Sequence, residues 1–462
     1  MNRIAIFCGF ISILLVFPVQ AETKKLEEIL QILAQEHPES RSLAGLSHAH
    51  KSHSDASGIL PDPKIGFAYR NFPVRNGPSL SDKAPDTPTM TGIELSVSQE
   101  FPFPGKLGTE KRISKIMENE ANLSYLVGVN RLLGDFLIRL NRIKRAEKKR
   151  QINNRIVELL GAQRSISESY YSSGGIPLTG AIKASIAKTE AMERETELAT
   201  VQRDLSAQLK YYEIPNQLSV SELSNLDLDR FFEESFLKLN NIAVNTSGYS
   251  IEETPDYKIG IAEEKRLTEQ AKLAKYSIAP QTEVFFSYMK RRSQTFAIDK
   301  GPLQYGPMDV TEYRGDLFSF GVNMRVPVWS ALNWSSVTGE SEHFAAAGKD
   351  SAEKVKAQIS SELQRNLELL RGISNQIQIV EKKLIPEMER AVRVSSTLYA
   401  PGKASIQDTL MAQAEVWNAK IRLEDLKEKK NETIITTLKL LSLIYEASEV
   451  PAHQKHENGE QK

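Results

Sequence analysis

Three histidines lie together in Ser47-His48-Ala49-His50-Lys51-Ser52-His53-Ser54-Asp55. Imidazole is a common metal ligand, but a helical zinc pair needs two histidines four residues apart, and none of these spacings is four. His48, His50 and His53 therefore read as the solvated face of a helix, and no metal is assigned. One carboxylate, Asp408, closes Ser405-Ile406-Gln407-Asp408, the spacing of a helix capping box with Asp in place of Glu. Glycine-bearing turns stand at Ser173-Gly174-Gly175-Ile176 and Pro401-Gly402-Lys403-Ala404. Glycine lets the backbone reverse with positive φ, as any helical hairpin requires. No phosphate-binding glycine loop, nucleophile elbow or His-Glu-x-x-His occurs, so the chain is not read as an enzyme and no cofactor is assigned.

These residues must be positioned by elements that occur twice. Pro63-Lys64-Ile65-Gly66-Phe67-Ala68-Tyr69 answers to Pro280-Gln281-Thr282-Glu283-Val284-Phe285-Phe286-Ser287-Tyr288. Ile93 to Pro102 answers to Phe318 to Pro327, and Tyr171-Ser172-Ser173-Gly174 to Tyr399-Ala400-Pro401-Gly402. A long-period repeat of this kind decides architecture. The first half is assigned to residues 22–250 and the second to 251–446, with a polar tail at 447–462. Each half holds alternating stretches, in which Ile65, Phe67 and Tyr69, then Ile93, Leu95 and Val97, share one face: the signature of half-buried strands. Strands are expected at 281–291 and 315–328, separated by a Pro- and Gly-rich loop. Residues 22–60 read as helical. Helix-like sequence without proline runs from about Leu107 to Tyr171, about 100 Å if continuous. A return helix, Leu178 to Tyr212, carries the small residues Ala181, Ala184, Ala187 and Ala191, which admit a close helix neighbour. A further long helix begins near Val337, with a break or restart expected near Pro386.

The 59 basic and 59 acidic residues balance, which argues against a nucleic-acid binder. Met1-Asn2-Arg3, the apolar run Ile4 to Val16 and Val19-Gln20-Ala21 read as a secretory signal, so residues 1–21 are excluded from the fold. The only cysteine, Cys8, lies within that signal, leaving the mature chain without a thiol.

Strands with one greasy face and one face of Glu, Ser, Asn and Arg, flanked by Tyr69, Phe72, Phe101, Phe103, Tyr288 and Trp329, match the wall of a water-filled membrane barrel. A small soluble sheet packed on helices is the plainer alternative. Four strands cannot close a membrane barrel, and lipid does not tolerate open sheet edges. If these strands span a membrane, identical chains must pool them.

The chain resembles the TolC-type outer-membrane efflux family over about residues 22–446. The resemblance is carried by Leu60-Pro61-Asp62-Pro63, by Gln99-Glu100-Phe101-Pro102-Phe103-Pro104-Gly105-Lys106 and by Tyr399 to Leu410. The first two look like the heavy-metal branch. The resemblance implies an α+β membrane protein: a homotrimer whose four strands per chain make a twelve-stranded β-barrel, continued by an α-helical coiled-coil tunnel through the periplasm. It also implies an inner-membrane pump, of the RND type by preference. A periplasmic adaptor would dock on the helix tips Ser173, Gly174, Gly175, Ile176, Pro401, Gly402, Lys403, Ala404 and Ser405. Asp408 falls at a family acidic position that rings the pore entrance, although Met411, Gly180 and Ala404 depart from the charged pattern around it. The expected function is the outer-membrane exit duct of a tripartite exporter of small toxic solutes, metal ions or drugs. The alternatives are a type I protein-secretion duct and a soluble periplasmic coiled-coil scaffold.

Overall fold

The structure, a computed structural model, describes residues 25–71, 90–172, 179–224, 226–244, 250–298, 308–399 and 406–446. The proposed signal (1–21), the polar tail (447–462) and both hairpin turns lie outside these residues. In chain order the elements are α1 (Leu26–Glu36), α2 (Pro38–Ala56), β1 (Lys64–Arg70), β2 (Gly92–Phe101), α3 (Lys106–Ser172), α4 (Thr179–Leu209), α5 (Val220–Ser224), α6 (Asp229–Val244) and α7 (Pro255–Lys275). There follow β3 (Gln281–Arg291), β4 (Gln294–Ile298), β5 (Met308–Glu312), β6 (Leu317–Arg325), α8 (Val328–Leu332), α9 (Trp334–Ile379), α10 (Ile385–Tyr399) and α11 (Ile406–Leu441).

Local chemistry sets the boundaries. The expected helix over 22–60 is two helices, because Pro38 forces His37 into an extended conformation (ψ 137°) and then opens α2. α7 begins at Thr254, whose hydroxyl caps the Tyr257 amide, with Pro255 in the first turn. β2 passes into α3 through Gly105, which has φ +95°. A Cβ there would stand 2.6 Å from the Tyr276 hydroxyl, so both conformation and space demand glycine. The break or restart expected near Pro386 takes the form of a π-helical turn, Val380–Leu384, after which α10 starts at Ile385 with the helix continuous. Pro386 has no amide to donate, and widening the helix just before it accommodates the missing bond.

The loop expected between the last two strands contains a further hairpin. β4 and β5 pair antiparallel, with the Thr295 and Thr311 hydroxyls 2.9 Å apart across the pair. Five-residue strands bounded by Gly and Pro leave too short an alternation to separate from loop.

The chain forms two compact units that interleave both sequence halves. One comprises Met1–His37, Asp135–Lys238 and Gly372–Ile435 and is helical in its described residues. There Ala184 and Ala191 pack with Ile156, Leu160 and Leu410, and Ala187 borders them, as the small-residue stripe predicts. A second cluster joins Val380 and Ile385 to Ala419 and Leu423 around the π turn. Tyr212 is buried against Phe136 and His37, and its hydroxyl accepts from Arg139 (2.6 Å). The other unit comprises Pro38–Gly134, Leu239–Arg371 and Thr436–Lys462, and holds β1 to β6. Its core includes Tyr125, Val129, Leu132 and Leu133 of α3 and Leu438 and Leu441 of α11.

Candidate channel wall

β1, β2, β3 and β6 form one antiparallel sheet in that order. Its register aligns side chains into rows. Ile65, Val97, Phe286 and Phe320 lie side by side, as do Phe67, Leu95, Tyr288 and Phe318. Alternation puts both rows on one face. That face is exposed: Phe67 is 76% accessible and Phe320 73%. Its rings touch each other, Phe286 and Phe318 meeting edge-on at 4.5 Å.

The opposite face is polar. Ser96, Ser287 and Ser319 make one row, and Glu100, Glu283 and Asn323 another. The Ser98 hydroxyl donates to Glu283 (2.7 Å), Lys64 lies 3.7 Å from the same carboxylate, and Arg70 pairs with Glu94. The large apolar residues on this face are the paired Met289 and Leu317, and Phe285. Phe285 lies over Gly321, where an added Cβ would stand 2.5 Å from its ring. Among the described residues β1 and β6 each pair on one side only, so both sheet edges carry free backbone groups. No helix of the described residues is long and apolar enough to cross a membrane.

The helical unit is clasped by charge as well as by packing. Arg142 binds Glu432 (2.5 Å), Arg145 binds Glu424 (3.0 Å), and Lys149 binds Asp425 (2.6 Å) and Glu428 (2.8 Å), joining α3 to α11. Burial works against the Lys149 ammonium, but hydrogen bonds to Asp425 and Glu428 outweigh it and hold the group above its ordinary pKa. Buried Asn141 and Asn431 are hydrogen-bonded within the same seam (2.9 Å).

The hairpin residues Ser173, Gly174, Gly175, Ile176, Pro401, Gly402, Lys403, Ala404 and Ser405 lie outside the described residues. Asp408 is the third residue of α11, and its side chain is likewise outside them. His48, His50 and His53 sit on α2. Among the described residues no group of three or more His, Cys, Asp or Glu is placed to hold a metal ion. Sequence reasoning marked Trp329 as a strand-end aromatic and Leu60 as part of a motif, but missed the exposed apolar foot of the sheet that they belong to, with Ile59 before β1 and Val326, Val328 and Leu332 after β6. A signal existed: no charged residue occurs from Val326 to Gly339.

No protein-family model matches the chain, and no curated protein matches it in sequence. Solved structures do match its fold. The outer membrane protein VceC of Vibrio cholerae aligns with a TM-score of 0.69 at 11% identity, covering 90% of this chain and 95% of VceC. The CmeC outer membrane channel of Campylobacter jejuni gives 0.67 at 12% identity, covering 91% of this chain and 86% of CmeC. The MtrE outer membrane channel of Neisseria gonorrhoeae, in its open state, gives 0.64 at 13% identity, covering 90% and 89%. The chain has the fold of the TolC-type outer-membrane channels.

Proposed function

We propose that this protein is the outer-membrane exit duct of a tripartite exporter. Three copies pool β1, β2, β3 and β6 into one twelve-stranded barrel, with the apolar rows toward lipid and the serine and carboxylate rows toward an aqueous lumen. The observation that carries this reading is the sheet itself: one face exposed and apolar, the other polar, and both edges open. In lipid such a sheet must close, and lipid replaces water over its greasy face. Antiparallel order throughout, with four strands per copy, lets identical copies join in the same alternation.

The fold likeness and the signal-like Met1–Ala21 support export to the outer membrane, with the long helices forming the periplasmic conduit. The repeat into 22–250 and 251–446 supplies two strands of the main sheet and one long hairpin per half. An adaptor docks on the tips at Ser173–Ile176 and Pro401–Ser405, and an inner-membrane pump supplies the energy. Three Asp408 carboxylates on one axis would attract cations at the entrance and repel anions. The cargo is a small toxic solute, a metal ion or a drug. Single-channel recording of purified full-length protein in planar bilayers tests the reading. Stable conductance steps are expected, with cation preference reduced in Asp408→Asn; a preparation that inserts and never conducts would refute it.

A further inference from the structure

The foot of the sheet carries two apolar patches at opposite edges. At the β1 edge, Ile59 is 67% exposed beside Leu60. This pair is held in place rather than trailing. Gly58 turns the chain with φ +76°, with Lys111 Cβ only 2.8 Å from where its own Cβ would stand, and Gln99 Nε2 donates to the Pro61 carbonyl (2.7 Å). At the β6 edge, Val326 continues the apolar alternation and α8 follows, with Trp329 80% exposed near Leu332. The turn is fixed by Val328 N donating to Val326 O and Ala331 N to Pro327 O, both at 3.0 Å.

Both patches are at the same end of the sheet. Lys64 of β1 pairs with Ser98 near the end of β2, Phe101 of β2 pairs with Thr282 at the start of β3, and Thr282 pairs with Met324 at the end of β6. Within one chain β2 and β3 separate the patches, so the edge strands stand about 14 Å apart. When copies close a ring, β6 of one lies beside β1 of the next, and the two patches come together. We infer that Trp329 and Leu332 of one copy pack on Ile59 and Leu60 of the next, clasping the barrel seam at its foot. The occupant is a second copy of this chain, and the inference rests on the pooled barrel proposed above. Continuity with the open strand edges argues for it: the same closure that pairs the free backbone of β1 and β6 also covers both patches.

Thiol cross-linking tests this on a clean background, because Cys8 is the only cysteine and lies in the signal-like segment. The double variant Leu60→Cys, Trp329→Cys is treated in membranes with a short bismaleimide, beside each single variant. Covalent dimers and trimers are expected from the double variant and from neither single one. The pair Ile59→Cys, Leu332→Cys repeats the test if the first fails to assemble. Native mass is read on the same samples. Trimeric mass without cross-links in either pair overturns the clasp and leaves the barrel standing; monomeric mass overturns both. The third arm keeps Trp329 as the sole tryptophan by replacing Trp334 and Trp417 with Phe. Strong quenching of its fluorescence by brominated lipid would assign the patch to lipid and overturn the clasp, whereas weak quenching is expected.

Discussion

Two adjacent residues of β6 should respond in opposite ways to the same substitution. Phe320 lies on the exposed apolar face and Ser319 on the polar face. β6 spans nine residues, about 30 Å of strand, and Phe320 is one residue from its middle. In the proposed barrel, with an apolar band about 25 Å tall, Phe320 would fall near the bilayer midplane. An arginine there costs about 2–4 kcal/mol in each chain, and loss of the phenyl adds about 2 kcal/mol. Three copies bring the penalty to on the order of 10 kcal/mol per trimer or more, comparable with the whole stability of a domain. Ser319→Arg would place the same charge in the water of the proposed lumen and should fall within about 0.5 kcal/mol of the parent. The assay is the fraction of each variant recovered from outer membranes as a detergent-resistant oligomer, with the thermal midpoint of what is recovered. Phe320→Arg should be lost from that fraction and Ser319→Arg retained. Equal tolerance of the two, or greater damage from Ser319→Arg, would refute the assignment of the faces.

Three further outcomes follow from the packing. Buried Asn130 accepts from the Ile444 and Tyr445 amides (2.9 and 3.0 Å) and donates to the Tyr445 carbonyl, so Asn130→Ala should cost about 1–3 kcal/mol and raise amide exchange at Ile444 and Tyr445. Ala184 is wholly buried among Ile156, Leu160 and Leu410, and Ala184→Leu should destabilise by about 1–3 kcal/mol in denaturant titration through overpacking. The Glu269 carboxyl is held below its ordinary pKa by the hydrogen bond from Lys272, with a second from Arg112, against the opposing effect of burial. Its stabilisation is present at neutral pH and lost as pH falls through the depressed folded value. Glu269→Gln should therefore flatten the acid side of the unfolding-midpoint profile below about pH 5, and an unchanged profile would contradict this.

The strands of the main sheet were legible because period-two alternation is a strong local signal when one face is apolar over seven or more residues. The same rule missed β4 and β5, whose five residues are too few. Pro386 marked a discontinuity in the sequence, whereas Pro38 was read through as helix; proline chemistry alone does not say whether a helix splits or widens to a π turn, and packing around Val380 and Ile385 accompanies the second outcome. The alanine stripe of α4 was readable from spacing, whereas its partner Leu410 lies more than two hundred residues away along the chain. Strand order, with β6 beside β3, is a long-range pairing that no local pattern encodes. Trp329 was legible as an aromatic at a strand end and Leu60 as part of a motif, but that Ile59 and Leu60 share one end of the sheet with Trp329, on opposite edges, follows only from the register.

The central claim is that several copies share one barrel, and the mass of the purified full-length protein in detergent micelles tests it most directly. Native mass spectrometry should give three times the mass of the processed chain, dissociating only when the micelle and the sheet are lost together. A single-chain mass, in protein that stays dispersed without detergent, would contradict the account.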